Sequence, residues 1–234
     1  MKRKLHILET AMLILQIDTG RCAMVVKTQA KKVSPLLSNW NQKFVSSLLF
    51  LEQPEIATLG PSGTSSEASG EYLFSLLKVE HGKCSLYPSY EEAYESLVSG
   101  VSNFLLVANA YKGIDKFYMS KDIKFLFPFI FETPLYGVAK RPYEELDRSR
   151  PLIIATHHAP SSLLPWFLSE LDIEYEVLFV NSTSEASVKL QKGEVDLCLT
   201  MENAAQKYNV KFISPTRTIL MLWSVFGRKS TLIS

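Results

Sequence analysis

The chain has 234 residues, 47% of them hydrophobic and 21% charged, and a formal net charge of +1. That composition excludes a disordered or low-complexity chain, and the near-balanced charge excludes bulk electrostatic attraction to nucleic acid. A small anionic ligand therefore has to be met by a local site.

The length suffices for one bilobed domain or two small ones with a buried core. Cys22, Cys84 and Cys198 are odd in number, widely spaced and without a CxxC pair. They predict neither a disulfide framework nor a zinc site, and they suit a reducing cytosol. Lys2-Arg3-Lys4 ahead of Leu5–Ile17 has the outline of a signal peptide, but His6 and Glu9 interrupt the apolar run and Gly20-Arg21-Cys22 is a poor cleavage site. No stretch reaches the roughly 20 apolar residues of a membrane span. The expected location is the cytoplasm.

Residues 1–53 read as an N-terminal extension that packs on the domain or supports a dimer contact. Leu5, Leu8, Met12 and Leu15 recur at helical spacing, Ala23–Val26 suggests a short strand, and Lys27–Lys32 is a basic break. Phe44–Leu51 is apolar and meets Pro54.

From residue 55 the pattern alternates between strand and helix. Ile56–Leu59 predicts a strand, Ser66–Leu77 a helix and Lys83–Tyr87 a strand. Ser89 is set to cap a helix that carries Glu91 and Glu92 in its first turn and stops at Gly100. Phe104–Ala108 is wholly apolar, as in a strand covered on both faces, and Asn109–Gly113 forms the loop at its carboxyl end. Phe125–Glu132 and Leu135–Lys140 predict strands on either side of Thr133-Pro134. A second series follows: strand Leu152–Thr156, loop His157–Ser161, helix Leu163–Leu171, strand Tyr175–Val180, helix Glu185–Lys192 capped from Asn181–Ser184, and strand Val195–Thr200. Helix Glu202–Tyr208 and strands Phe212–Ile213 and Leu220–Phe226 close the chain.

The organising stretch is Ala57–Ser69, a strand that runs through Gly60-Pro61-Ser62-Gly63 into Thr64, Ser65 and Ser66 and then Glu67. Gly60 and Gly63 permit close approach or a positive φ, and one of the three hydroxyl residues can cap the following helix. Amides and hydroxyls at a helix start attract an anion. The plainer alternative is an ordinary strand–turn–helix corner. Thr156 and Ser161, and Ser182 and Thr183, repeat the arrangement in the second half, so that two lobes with facing helix starts can form a cleft for a dianion. No nucleotide-binding glycine pattern is present.

His157, at a strand end, is a candidate for proton transfer or ligand contact, while adjacent His157 and His158 make a poor metal pair. Asn109 and Tyr111 can orient a carboxylate or hydroxyl, or serve as a turn residue and a packing aromatic. Arg141 can pair bidentately with a carboxylate, or lie on the surface before its proline. Cys84 and Cys198 read as core residues.

The run Ala57-Thr58-Leu59-Gly60-Pro61-Ser62-Gly63-Thr64-Ser65-Ser66-Glu67 resembles the GPxGTxSE opening of the prephenate dehydratases. The likeness continues through Ser182-Thr183-x-x-Ala186 and Ala204-Ala205-x-x-Tyr208 and covers about residues 55–228. It implies a two-lobed, periplasmic-binding-protein type II-like α/β fold, with lobe 1 at about 54–132 plus 216–228, lobe 2 at about 133–215, and no regulatory ACT domain. Two departures stand out. Counting back from Gly227, the dehydratases' Thr-Arg-Phe triplet falls on Met221-Leu222-Trp223, which leaves Thr216-Arg217-Thr218 as a decoy. Their Glu-Asn-Ser segment reads Ala108-Asn109-Ala110. Both departures are similar to those of the prephenate decarboxylases of bacilysin-, aeruginosin- and salinosporamide-type pathways. That branch is matched by Asn109-Ala110-Tyr111-x-Gly113-Ile114-x-x-Phe117-Tyr118-Met119, Thr133-Pro134-Leu135-Tyr136-Gly137 and Trp223-Ser224-x-Phe226-Gly227.

The resemblance implies a cofactor-independent loss of carbon dioxide from prephenate with the ring hydroxyl retained, giving a dihydro-4-hydroxyphenylpyruvate for secondary-metabolite biosynthesis. It implies substrate contacts at Thr64, Ser65, Thr156, Ser182 and Thr183, with Arg141 assisting, and an apolar wall from Met221, Leu222 and Trp223. The proton comes from Tyr111, His157 or a held water, with Asn109 beside them. A homodimer is expected by analogy. The rival readings are a dehydratase that uses Thr216 and Arg217 in a shifted register, and a non-catalytic binder of a small carboxylate.

Overall fold

A computed structural model describes residues 44–229. Residues 44–50 form a helical segment, and a second compact unit begins at Leu51; in the helical segment Phe44, Val45 and Leu48 are buried. The expectations for Leu5–Leu15, Ala23–Val26, Lys27–Lys32 and Cys22 lie outside the described residues.

The larger unit is built on two five-stranded sheets. Strand β1 (Glu55–Leu59) leads to α1 (Ser65–Leu76), β2 (Lys83–Tyr87), α2 (Tyr90–Ser99), β3 (Phe104–Ala108), α3 (Ile114–Tyr118) and β4 (Ile123–Glu132). The second sheet takes β5 (Tyr136–Lys140), β6 (Leu152–Thr156), α4 (His158–Ser161), α5 (Leu164–Phe167), β7 (Tyr175–Phe179), α6 (Thr183–Gln191), β8 (Leu197–Met201), α7 (Glu202–Lys207) and β9 (Lys211–Phe212). The last strand, β10 (Leu220–Arg228), returns to the first sheet. The orders are β2-β1-β3-β10-β4 and β7-β6-β8-β5-β9. In each sheet three parallel strands meet an antiparallel one, β10 against β3 and β5 against β8. This is the two-lobed α/β architecture that the family resemblance implies.

The chain passes between the sheets twice, and the two passages are bonded to each other. Tyr136 N–H donates to Arg217 O at 2.7 Å, and Arg217 N–H returns a bond to Tyr136 O at 3.0 Å. Thr133 N–H donates to Ile219 O, and the Thr133 hydroxyl accepts from Ile219 N, both at 3.0 Å. Each lobe has its own apolar core. Leu97, Leu105, Phe117 and Phe226 belong to the first, and Leu152, Phe167, Leu197 and Met201 to the second.

The helix starts repeat one device. Thr64 Oγ1 accepts from Glu67 N at 3.2 Å, while Glu67 turns its carboxylate back onto Gly63 N at 2.6 Å. In α6, Ser182 Oγ accepts from Glu185 N and Glu185 accepts from Asn181 N, both at 3.0 Å. Thr64-Ser65-Ser66-Glu67 and Ser182-Thr183-Ser184-Glu185 thus occupy matching places in the two lobes, each a reciprocal capping arrangement. Gly63 has φ of +95°, and a Cβ there would stand 3.1 Å from the Ala204 Cα of α7. Gly63→Ala is expected to lose at least about 1–2 kcal/mol in urea unfolding from the left-handed backbone alone, before α7 shifts.

Two elements differ from their sequence-based expectation. Residues 157–161 are not a plain loop, because His157 Nδ1 accepts from Ala159 N at 3.2 Å and caps the short α4. The expected helix Leu163–Leu171 is cut to Leu164–Phe167, with Pro165 in its first turn. Among the described residues no helix is long and apolar enough to cross a membrane, and no cluster of His, Cys, Asp and Glu could hold a metal ion.

Candidate active site

A cavity of about 270 Å³ opens between the carboxyl ends of the parallel strands, where the starts of α1 and α6 converge. Its lining divides by chemistry. Thr64, Ser65, Ser66, Tyr90, Tyr136, Ser182 and Thr183 bring hydroxyls, whereas Leu59, Ala108, Ala110, Pro160, Leu163, Ile219 and Met221 are apolar. Tyr111 and His157 stand at its side. No carboxylate, ammonium or guanidinium is among the described lining residues.

The hydroxyls are not equally available. Thr64 spends its own on Glu67 N and on Leu59 O, which it reaches at 2.9 Å. Ser182 Oγ accepts from Glu185 N to cap α6. Ser66 pairs with the Tyr90 hydroxyl at 2.9 Å, and Ala108 N–H donates to the same oxygen at 3.3 Å. Tyr90 is buried, and the loss of solvation pushes its phenol up to about 12. Tyr136 sits at the crossover and is equally buried, with the hydroxyls of Ser65 of α1 and Thr183 of α6 facing its phenol. Burial raises its pKa, and those two hydroxyls partly offset the rise. Tyr136 thus stands between the first turns of both lobes' helices. The first-turn amides of Ser65, Ser66, Thr183 and Ser184 have no acceptor within their helices, and they supply further donors around this point. The Ser184 hydroxyl, buried in the place that corresponds to Ser66, has no partner among the described residues.

The expected site residues separate into two groups. Thr64, Ser65, Tyr111, His157, Ser182, Thr183 and Met221 line the cavity. Asn109, Thr156, Arg141, Leu222 and Trp223 do not, and each has a physical reason. Asn109 is bonded away from the cavity, where its Oδ1 accepts from Ser224 Oγ at 2.8 Å. Thr156 is fully buried and directs its hydroxyl to Leu199 O. Arg141 donates to Leu190 O at 2.6 Å and Val195 O at 2.9 Å and pairs with Glu144, so it closes the carbonyl end of α6. On β10 successive side chains alternate between faces. Met221 faces the cavity, Leu222 is exposed, and Trp223 is completely buried in the sheet between partners Ala108 and Phe129. None of Thr216, Arg217 and Thr218 lines the cavity; Arg217 lies over the Trp166 ring at 5.5 Å.

Tyr111 lines the cavity with its ring, packed on Tyr90 at 4.8 Å, but its hydroxyl donates to Glu91 Oε1 at 2.7 Å. Burial and that carboxylate raise its pKa. Tyr90, Tyr136 and Ser66 are site residues that the sequence does not mark as such; Ser66 stands there only as a possible helix cap. Tyr136 lies inside the matched Thr133–Gly137 segment, which is the one signal that could have drawn attention to it.

No protein-family model matches the chain. It is 37% identical over 178 residues to a prephenate decarboxylase of Bacillus subtilis (strain 168), covering 74% of this chain and 86% of that one. A prephenate decarboxylase of Planktothrix agardhii is 37% identical over 180 residues, covering 75% and 89%. Among solved structures, prephenate dehydratase from Arthrobacter aurescens in complex with L-Phe aligns with a TM-score of 0.59 at 12% identity. That alignment covers 74% of this chain, which spans 60% of the dehydratase's length, and it shows the shared fold. On the strength of the sequence relatives, the chain belongs to the prephenate decarboxylase family.

Proposed function

We infer that the protein catalyses the non-aromatising decarboxylation of prephenate, with retention of the ring hydroxyl. The observation that carries this reading within the family is the division of the cavity into a hydroxyl-rich floor and an apolar wall, with no strong acid among the described lining residues. The pyruvyl carboxylate is placed on the floor, against the hydroxyls of Ser65, Thr183 and Tyr136 and the helix-start amides. The ring lies along Leu59, Ala108, Ala110, Leu163, Ile219 and Met221. In that apolar setting a carboxylate is poorly solvated, whereas neutral carbon dioxide loses nothing.

As the bond between the ring and its carboxylate breaks, the electron pair passes into the ring diene and an alkene carbon takes a proton. A carbanion is basic enough to accept that proton from a phenol or from water. Departing hydroxide needs a real acid beside it. Tyr90, held up to about 12, and Tyr136, also raised, are too weak for that second task. Met221, at the position of the dehydratase threonine, offers no hydrogen bond to a leaving oxygen. The chemistry calls for no cofactor, since the diene itself receives the electrons.

A reducing cytosol and a homodimer belong to the same proposal. The free thiols of Cys84 and Cys198 support the first, and the exposed apolar strip of Ile130, Leu220 and Leu222 supports the second. The activity is tested by incubation with prephenate followed by mass spectrometry. The expected product is lighter than prephenate by carbon dioxide alone; loss of water as well would favour the dehydratase, and no turnover would favour a carboxylate binder.

A further inference from the structure

His157 follows β6 and has one polar atom committed. Its Nδ1 accepts the Ala159 N–H at 3.2 Å. A backbone amide can only donate, so this nitrogen must carry a lone pair, and in the neutral ring the proton then resides on Nε2. Protonating Nδ1 would set two donors against each other and remove the cap of α4. The surroundings oppose it too. His158 is adjacent, its ring centroid 6.4 Å away and its own face stacked on Phe179 at 3.7 Å. Lys112, on the loop after β3, adds positive charge from the first lobe. The other titratable group at this side of the cavity is Tyr111, whose Glu91 partner is also bonded by Lys116 at 3.3 Å. No carboxylate among the described residues forms an ion pair with His157.

We propose that His157 is a neutral imidazole with its proton locked on Nε2, offered to the anionic substrate as a hydrogen-bond donor and withheld as an acid. The proposal rests on the decarboxylase reading and deepens it. An imidazolium in this place would be able to protonate the departing ring hydroxyl, and the Ala159 amide keeps it from forming. Burial, His158 and Lys112 act in the same direction and lower its pKa.

The test uses the full chain labelled with ¹⁵N-histidine, together with His157→Gln and His157→Ala. Glutamine keeps an N–H donor near the Nε2 position and does not titrate. The spectrum at neutral pH is expected to show an unprotonated Nδ1 and a protonated Nε2. Wild-type kcat/KM, corrected for the uncatalysed acid reaction, should fall as pH drops below the ordinary imidazole value of about 6.5. His157→Gln should abolish that limb and stay within about 10-fold of wild type at neutral pH. His157→Ala should lose roughly 10- to 100-fold, mainly in KM, the equivalent of one hydrogen bond to a charged group. A protonated Nδ1 in the spectrum, activity that falls as pH rises through the imidazole range, or an alanine variant equal to wild type would each overturn the proposal. A correct tautomer in a protein that does not turn over prephenate would instead contradict the decarboxylase reading.

Discussion

Tyr136→Phe is expected to lower kcat/KM by roughly 100- to 1000-fold, the loss typical of removing one preorganised donor from an anion-stabilising site. Tyr136 is buried at the crossover, where its phenol faces the hydroxyls of Ser65 of the first lobe and Thr183 of the second. Its removal takes one donor from the floor. The ring itself still packs in the second core, and the backbone bonds to Arg217 do not involve the hydroxyl. Stability should therefore change by only about 1 kcal/mol, the net worth of an ordinary hydrogen bond. Steady-state kinetics beside a urea titration separates the two effects. Kinetics within a few-fold of wild type would remove Tyr136 from the site.

The second large effect is structural. Trp223→Ala is expected to cost about 3–5 kcal/mol, by analogy with other large aromatics deleted from cores. Against a net stability of about 5–15 kcal/mol, that is enough to unfold much of the population on mild heating. Trp223 is completely buried and flanked in the sheet by Ala108 and Phe129. Its indole nitrogen has no partner among the described residues, so Trp223→Phe leaves no donor stranded. The phenylalanine variant should unfold at a somewhat lower urea concentration yet keep nearly wild-type kcat/KM. A large kinetic defect in a folded Trp223→Phe protein would return this residue to the substrate wall.

What could be read from sequence was whatever depends on neighbours along the chain. The Gly63 turn, the cap at Ser89, a cap within Thr64–Ser66 and another within Asn181–Ser184, and the doubly covered β3 all rest on residues within a turn of one another. The direction of a polar side chain at a strand end does not. Asn109 and Arg141 lie beside the right elements, but one is bonded to Ser224 and the other to the end of α6, contacts that only the folded chain creates. Met221, Leu222 and Trp223 are a different lesson. Three consecutive residues of a strand cannot face one cavity, so the period-two rule already forbids the wall as first drawn. Tyr136 was hidden because both of its partners belong to helices of other segments. His157 stands out in the sequence by its chemistry, but the cap that decides its tautomer is invisible until α4 is seen.

In the proposed reaction the carbon–oxygen bond of the ring is never broken. Prephenate carrying ¹⁸O in its ring hydroxyl follows the fate of that bond. All of the label should be found in the dihydro-4-hydroxyphenylpyruvate produced with the carbon dioxide. Label released to water, together with an aromatic phenylpyruvate, would show that the ring hydroxyl is expelled and the enzyme is a dehydratase.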